Sequence, residues 1–266
     1  MNTFLAFYKE KEAAILGWGF ILLFLLLWEF IPALVTLPEA MSLFFTTPSH
    51  VGLTLFRLVT SGELQHHLYI SAIEFVIGLA LSIAVGLPLG ILMGRFTWLN
   101  AMLDPFVTAF NATPRLVFIP LVFLWFGLGI WSKVVIVFIG ALLPLLINTC
   151  EGVKNADRVL INVVRSFGAG EWQIMKMVVL PYSLPYIIVG LRLAIGRAIL
   201  GVVVAEIFGG GMGLGAWMEA SAQNYLVDKV FAGLILFMAI SLAMTMSVKK
   251  IESRLSRWRP EEVKTF

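Results

Sequence analysis

Residues 75–94 read FVIGLALSIAVGLPLGILMG, a stretch of 20 consecutive residues without a charge. A helix needs roughly 20 mostly apolar residues to cross the hydrocarbon core of a bilayer. The stretch does not alternate between apolar and polar residues, as a strand of a membrane β-barrel would. It is therefore predicted to be a transmembrane helix.

Five further apolar stretches flank this one. The predicted spans are residues 13–35, 68–94, 103–126, 134–150, 184–208 and 230–248. The third is interrupted by Pro105, Pro114 and Pro120. Of the whole chain, 60% is hydrophobic and only 13% is charged, whereas soluble domains have about 45–50% and about 25%. We predict an all-α polytopic membrane protein with six transmembrane helices, which excludes an ordinary cytosolic enzyme.

Lys and Arg residues are distributed unequally between the two sides of the predicted bundle. With a cytoplasmic N-terminus, 13 of the 19 fall in cytoplasmic segments, 3 in outer segments (Lys133 among them) and 3 within spans. Positive residues concentrate on the cytoplasmic side of membrane proteins. Both termini and the loop 151–181 are therefore predicted to be cytoplasmic, while 36–65 and 209–228 face outward.

The loop 151–181 is more polar than the rest of the chain. Within it, residues 157–167 place Val159, Val163 and Phe167 four residues apart, which is typical of one face of an amphipathic helix. This face is expected to anchor the helix and leave its polar side exposed. Gly168 and Gly170 are expected to end the helix.

The chain carries no motif of a known catalytic site. GxSxG, HExxH, CxxC and paired-carboxylate patterns do not occur in it. The glycine-rich run 209–215 (GGGMGLG) is not followed by Gly-Lys-Ser/Thr, so a flexible turn is favoured over a phosphate-binding loop. The single Cys150 excludes an internal disulfide and any multi-cysteine metal site. We expect neither enzymatic activity nor a cofactor bound by this chain.

A spaced motif links the loop to a known family. Gly168 is followed, after nine residues, by Val178-Val179-Leu180-Pro181, with Leu180-Pro181 expected to start the next element. This resembles the Gly-x9-Ile-x-Leu-Pro core found in permeases of binding-protein-dependent ABC transporters. The segments Ala112-Thr113-Pro114-Arg115 and Val203-Val204-Ala205-Glu206 resemble the branch that serves nitrate, sulfonate, taurine and bicarbonate uptake. One departure is Asn162-Val163-Val164, where the family usually has Glu-Ala-Ala.

The resemblance covers residues 62–250 and implies a type I ABC importer permease fold. It divides the chain into an N-terminal segment (1–61), a permease core (62–250) and a cytoplasmic tail (251–266). It also implies a permease subunit in the bacterial inner membrane that imports a small anion of the nitrate, sulfonate or taurine type.

The implied partners are two cytoplasmic ATPase subunits that hold ATP and Mg, an extracytoplasmic substrate-binding protein, and a second, usually identical, permease copy. No nucleic acid is expected. The resemblance assigns ATPase coupling to residues on both sides of the loop glycine: Arg165, Ser166, Phe167, Gly168, Ala169, Glu171, Leu180 and Pro181. Arg165 and Glu171 are expected to be available for pairing with the ATPase.

Charged residues inside spans are costly and are therefore functional candidates. Arg115 and Arg197 fall near the middle of the third and fifth spans, and Glu74 and Glu206 fall in the outer third of the second and fifth. The four could line the translocation pathway, where the arginines would attract a small anion. Alternatively, the arginines pair with the two acids or with carbonyl groups and hold helices together.

Six glycines in the second and fifth spans are expected to permit close helix contact: Gly78, Gly86, Gly90, Gly190, Gly196 and Gly201. The alternative function is a secondary transporter or channel for a small anion. The loop motif and the lack of a visible inverted repeat argue against it. The substrate stays open, and aromatic acids or pyrimidine precursors are alternatives to an oxyanion.

Overall fold

The computed structural model describes the backbone of residues 2–34 and 44–255, and within these ranges it contains helices and no strand. The helices are α1 (Asn2–Leu34), α2 (Pro48–Ser61), α3 (Glu63–Arg95), α4 (Thr97–Ala112), α5 (Ile119–Phe126), α6 (Ile130–Lys154), α7 (Arg158–Ser166), α8 (Glu171–Ile174), α9 (Leu180–Gly209), α10 (Leu214–Gln223) and α11 (Val227–Leu255). A 3₁₀ turn (Arg115–Phe118) precedes α5, and a π-type segment (Met175–Val179) joins α8 to α9. The all-α prediction is confirmed.

Four stretches of the described chain are long and apolar enough to cross a bilayer: Glu63–Arg95, Ile130–Lys154, Glu171–Gly209 and Val227–Lys250. The pair Thr97–Ala112 and Arg115–Phe126 counts as a fifth if its two arms form one broken span. Within α1, the apolar stretch Ile15–Ile31 is shorter than these. The total of six spans stays a prediction.

The predicted third span is not one straight helix. Its two arms are bent by 97°. The break lies at Thr113 and Pro114, whose backbones are extended, because a residue before proline disfavours helical geometry. Pro105 lies inside α4 and Pro120 in the first turn of α5, so neither of them breaks a helix.

Packing divides the chain into two units, residues 1–64 with 218–235 and residues 65–217 with 236–266. In the first unit, the end of α1 is tied to the start of α2. The backbone N–H and hydroxyl of Ser49 donate to the Glu29 carboxylate at 3.0 and 2.7 Å. Val51 and Leu58 form the buried side of α2.

In the second unit, α6 and α9 pack against each other along their length. Their buried contact residues are small or β-branched for the most part and include Val137, Ala141, Ala194, Ala198 and Val202. Small side chains allow two membrane helices to approach closely. The α6–α9 pair forms the centre of this unit.

Glycines bring neighbouring helices close to α6, as predicted. A Cβ added to Gly90 of α3 would lie 2.7 Å from the Leu146 carbonyl oxygen, and one added to Gly201 of α9 would lie 3.1 Å from the Cα of Val137. Gly78, Gly86 and Gly190 make similar close approaches. The prediction is wrong for Gly196, where a Cβ would meet no atom within 4 Å.

Candidate functional site

The short helix α7 forms at the predicted place. Asp157 precedes it and accepts a hydrogen bond from the Val159 N–H at 2.7 Å, as an N-cap residue does. The helix ends before Phe167, and Gly168 follows with a φ of +83°. That left-handed backbone is the usual end of a helix at a glycine. The predicted helix and the role of Gly168 in ending it are confirmed.

The face of α7 that was predicted to anchor it instead faces away from the protein. Val159, Val163 and Phe167 are 67%, 47% and 87% exposed. Ile161 and Val164 pack inward instead. They contact a buried cluster of Val153, Ala156, Ile174, Met175 and Val179. The anchoring prediction is wrong because α7 carries two apolar rows, and spacing alone does not determine which of them is buried.

The second half of the predicted loop is helical. Residues Glu171–Gly209 form one continuous helical stretch through α8, the π-type segment and α9. Leu180 and Pro181 begin α9, as expected, but α9 continues the π-type segment without a break in the helical stretch. Pro181 lacks the N–H that a helix interior needs, and it falls directly after the π-type turns, in the first turn of α9.

Arg165 and Glu171 pair with each other rather than standing free. Arg165 Nη2 donates to Glu171 Oε1 at 2.9 Å. The other oxygen of Glu171 accepts from Arg95 Nη2, at the end of α3. One carboxylate thus joins the ends of α3 and α7 to the start of α8, while both Arg165 and Glu171 stay more than half exposed. Their pairing with the ATPase stays a prediction.

The other predicted coupling residues differ in exposure. Ser166 donates through its hydroxyl to the Val163 carbonyl at 2.7 Å. Ala169 and Leu180 are partly buried against the cluster below α7. Phe167 and Pro181 are exposed. Among the eight, Phe167 therefore presents the largest apolar surface to a partner.

The structure brings Arg115 and Arg197 to one pocket. The pocket lies between the 3₁₀ turn, α6 and α9. Arg115 Nη1 donates to the Gly140 carbonyl of α6. Apart from the two arginines, the lining is apolar or glycine. The two positive charges thus face an otherwise apolar space at the break in the bent pair of helices.

Glu74 and Glu206 do not line that pocket. Both are fully buried, and Lys133 Nζ lies 3.4 Å from Glu74 Oε1. The Ser71 hydroxyl and the Gly215 N–H each donate to the Glu206 carboxylate at 2.6 Å. This arrangement fits the alternative in which the acids hold helices together, but with Lys133 as the partner in place of an arginine.

Sequence reasoning missed Lys133 because it was assigned to an outer segment. It lies instead in the first turn of α6 and is buried. The sequence feature that indicates its burial is its position directly before the apolar run 134–150, at the same predicted depth as Glu74 and Glu206. A buried acid in a membrane span needs a partner of opposite charge at the same depth.

The glycine-rich segment 209–215 is tied to this buried cluster and is not a free turn. Lys133 Nζ donates to the Met212 carbonyl at 2.8 Å, and the Leu214 N–H donates to the Ser71 hydroxyl at 2.9 Å. Gly213 has a φ of +128°, and a Cβ there would collide with the Glu206 carboxylate. The prediction of a flexible turn is corrected accordingly.

Comparison with known proteins identifies the family. Residues 86–257 match the family described as the binding-protein-dependent transport system inner membrane component. The chain belongs to this family. Within it, an aliphatic sulfonates transport permease protein of Bacillus subtilis is 37% identical over 80% of this chain and 77% of that protein. The taurine transport system permease protein of Escherichia coli is 30% identical over 74% and 72%.

Solved structures agree on the fold. A chain of the methionine ABC transporter in its inward-facing conformations superimposes with a TM-score of 0.61 at 18% sequence identity, covering 71% of this chain and 94% of that one. At this identity the likeness shows the fold. The predicted type I ABC importer permease fold, the family and its sulfonate and taurine branch are confirmed. The chain is an ABC transporter permease of the bacterial inner membrane.

Proposed function

We propose that this permease forms the pathway of an ATP-driven importer for a small sulfonate- or taurine-like anion, and that α7 couples it to a separate cytoplasmic ATPase. The observation that carries the proposal is the exposed apolar row of α7, Val159, Val163 and Phe167. A row of this kind on a short helix in a polar segment is suited to a protein partner. The relatives named for aliphatic sulfonates and taurine support the substrate class.

The attachment of α7 suits it to transmit force. Ile161 and Val164 hold its inner side, and the Arg165–Glu171–Arg95 ion pairs join it to the end of α3 and the start of α8. A push on the exposed row would therefore move α7 together with two long helices. Two ATPase subunits with bound ATP and Mg, a substrate-binding protein outside and a second permease copy complete the proposed assembly. The permease itself would hydrolyse no ATP.

Phe167→Asp tests the coupling. The variant places a charge in the most exposed part of the apolar row, so we expect it to reach the membrane in normal amount but to lose the co-purifying ATPase subunit and substrate-stimulated ATP hydrolysis. Asn155→Asp is the matched control, since Asn155 is exposed in the same cytoplasmic segment, lies outside α7 and gains the same charge. Retention of the ATPase by Phe167→Asp at the control level would refute docking through this row.

The proposed orientation places α7 in the cytoplasm and α10 outside. In a Cys150→Ala background, Arg158→Cys should resist an impermeant thiol reagent added to intact cells. Ala222→Cys, at an exposed position of α10, should react with it. Labelling of position 158 from outside would overturn the orientation.

We further propose that Arg115 and Arg197 bind the anion during passage. Hydrogen bonds to charged groups are worth about 1.5–3 kcal/mol, so Arg197→Gln should reduce uptake about tenfold or more. Arg197→Lys keeps the charge and should retain part of the uptake, and Arg57→Gln, outside the pocket, should be silent. Uptake by Arg197→Gln at the parental rate would remove this residue from the pathway.

A further inference from the structure

A second polar pocket lies behind α7 and is separate from the arginine pocket of the membrane helices. It is bounded by α7, α8 and the ends of α3 and α6. Four basic side chains line it: Arg95, Lys154, Arg158 and Arg165. Glu171 is the one acidic residue of the lining, and the remaining residues are apolar or glycine. The ion pairs of its wall help to attach α7, whereas the space between them has no assigned role.

Two of the four basic groups share one carboxylate. Arg165 and Arg95 each give one N–H to an oxygen of Glu171. A guanidinium group carries five N–H donors in a planar fork. Most of the donors of both arginines are therefore left for another acceptor at the pocket, and Glu171 neutralises only one of the two positive charges.

The other two basic groups add to this excess. Lys154 Nζ lies 3.6 Å from Glu151 Oε1. Arg158 has neither a hydrogen bond nor an ion pair from its side chain among the described residues. Counting Glu151 and the N-cap Asp157 together with Glu171, four positive charges face three negative ones, an excess of one.

We propose that this pocket is a binding site for a phosphate-bearing anion. Phosphate oxygens accept several charge-assisted hydrogen bonds at once, and the planar fork of an arginine matches them in pairs. One such group would neutralise the excess charge and use donors of Arg95, Arg158 and Arg165 together. The apolar remainder of the wall suits an organic substituent on the phosphate.

Two kinds of ligand carry such a phosphate group, a membrane lipid and a soluble compound, and an experiment can distinguish them. The pocket lies at the ends of the predicted membrane helices α3 and α6, and basic pockets between helices at the cytoplasmic surface bind anionic lipid headgroups. A soluble phosphate compound has the same donor requirements. The placement at the cytoplasmic surface rests on the orientation in the proposed function, whereas binding itself does not require the ATPase.

The experiment uses the purified full chain and Arg158→Gln, with Lys176→Gln as the matched control. Lys176 is exposed, basic and in the same segment but does not line the pocket. In the lipid arm, native mass spectrometry counts phosphatidylglycerol retained from nanodiscs of phosphatidylcholine and phosphatidylglycerol. In the soluble arm, calorimetry measures inorganic phosphate binding in a neutral detergent.

We expect Arg158→Gln to weaken binding about tenfold in one of the two arms, because it removes one charge-assisted contact. Lys176→Gln should match the parent in both. A difference in the lipid arm identifies a headgroup, and one in the soluble arm identifies a free phosphate compound. If Arg158→Gln equals the parent in both arms, the proposal is overturned.

A second variant distinguishes loss of the binding site from a folding defect. Arg95→Lys keeps the charge but loses the planar fork, and it should also weaken binding while its thermal unfolding midpoint stays near that of the parent. Because the assays contain no ATPase, their failure leaves the Phe167→Asp test of coupling standing. Failure of that test likewise leaves the pocket result unaffected.

Discussion

Substituting Met for Lys133 tests the buried ion pair most directly. Met has a similar length and no charge, so the change removes the partner of Glu74 and leaves little empty space. Lys133 and Glu74 are 4% and 1% exposed, and their charged atoms are 3.4 Å apart. At that distance, an effective dielectric constant of about 20 gives an attraction of about 5 kcal/mol.

The expected loss is a large one because the acid stays behind. Breaking a buried pair by removing one partner costs about 3–5 kcal/mol, since the other charge is left uncompensated. The Lys133–Met212 hydrogen bond, which ties the glycine-rich segment, is lost as well. We therefore expect Lys133→Met to lower the unfolding midpoint of the detergent-solubilised permease strongly in a thermal fluorescence assay.

Lys154→Met is the control matched in distance. Lys154 lies 3.6 Å from Glu151, but the two side chains are 35% and 52% exposed. Exposed pairs are worth only about 0–1 kcal/mol, so this variant should unfold close to the parental midpoint. Adding Glu74→Gln to Lys133→Met should recover part of the loss, because it removes one of the two buried carboxylates near Lys133 while Glu206 remains. Equal midpoints for Lys133→Met and Lys154→Met would refute the reasoning from burial.

Three further predictions concern backbone geometry and activity. Gly90→Ala pushes a Cβ against backbone of α6 and should cost about 1–3 kcal/mol, whereas Gly196→Ala faces open space and should be neutral or slightly stabilising in the same unfolding assay. Gly168→Val forces a branched side chain into a left-handed backbone. It should reduce transport and ATPase stimulation while membrane insertion stays normal. Gly170→Val, at a φ of −74°, should leave transport and ATPase stimulation unchanged. The purified chain alone should release no phosphate from ATP, and measurable hydrolysis would contradict its role as a subunit without an ATPase site.

Sequence patterns predicted the local features of the segment 151–181 well. The short helix and the glycine that ends it depend on neighbouring residues only, and both occur as expected. The outward orientation of Val159 and Val163 depends on the cluster beneath α7, to which residues before α7 and in the next helical stretch contribute. The spacing of apolar residues shows which of them share a face of a helix. It does not show which face packs against the core.

Pairings between distant residues were the least predictable part of the site. Arg115 and Arg197 share a pocket next to the turn of the bent pair of helices at Pro114, and this turn could not be read from the spans alone. Lys133 was missed because its burial depends on where α6 begins, and charge alone favours a place outside the span. Leu180-Pro181 suggested a boundary, since proline usually breaks a helix, yet the π-type turns before it let the helix continue.

The continuity of Glu171–Gly209 makes these 39 residues a single rod. At 1.5 Å per residue it is about 58 Å long, nearly twice the thickness of the hydrocarbon core. Its first residue, Glu171, forms ion pairs with Arg95 and Arg165. Near its far end, Glu206 accepts hydrogen bonds from Ser71 and Gly215. A tilt of about 5° would displace one end by about 5 Å relative to the other. In the proposed coupling, a small rotation of α7 would therefore displace the far end of this helix by several ångströms.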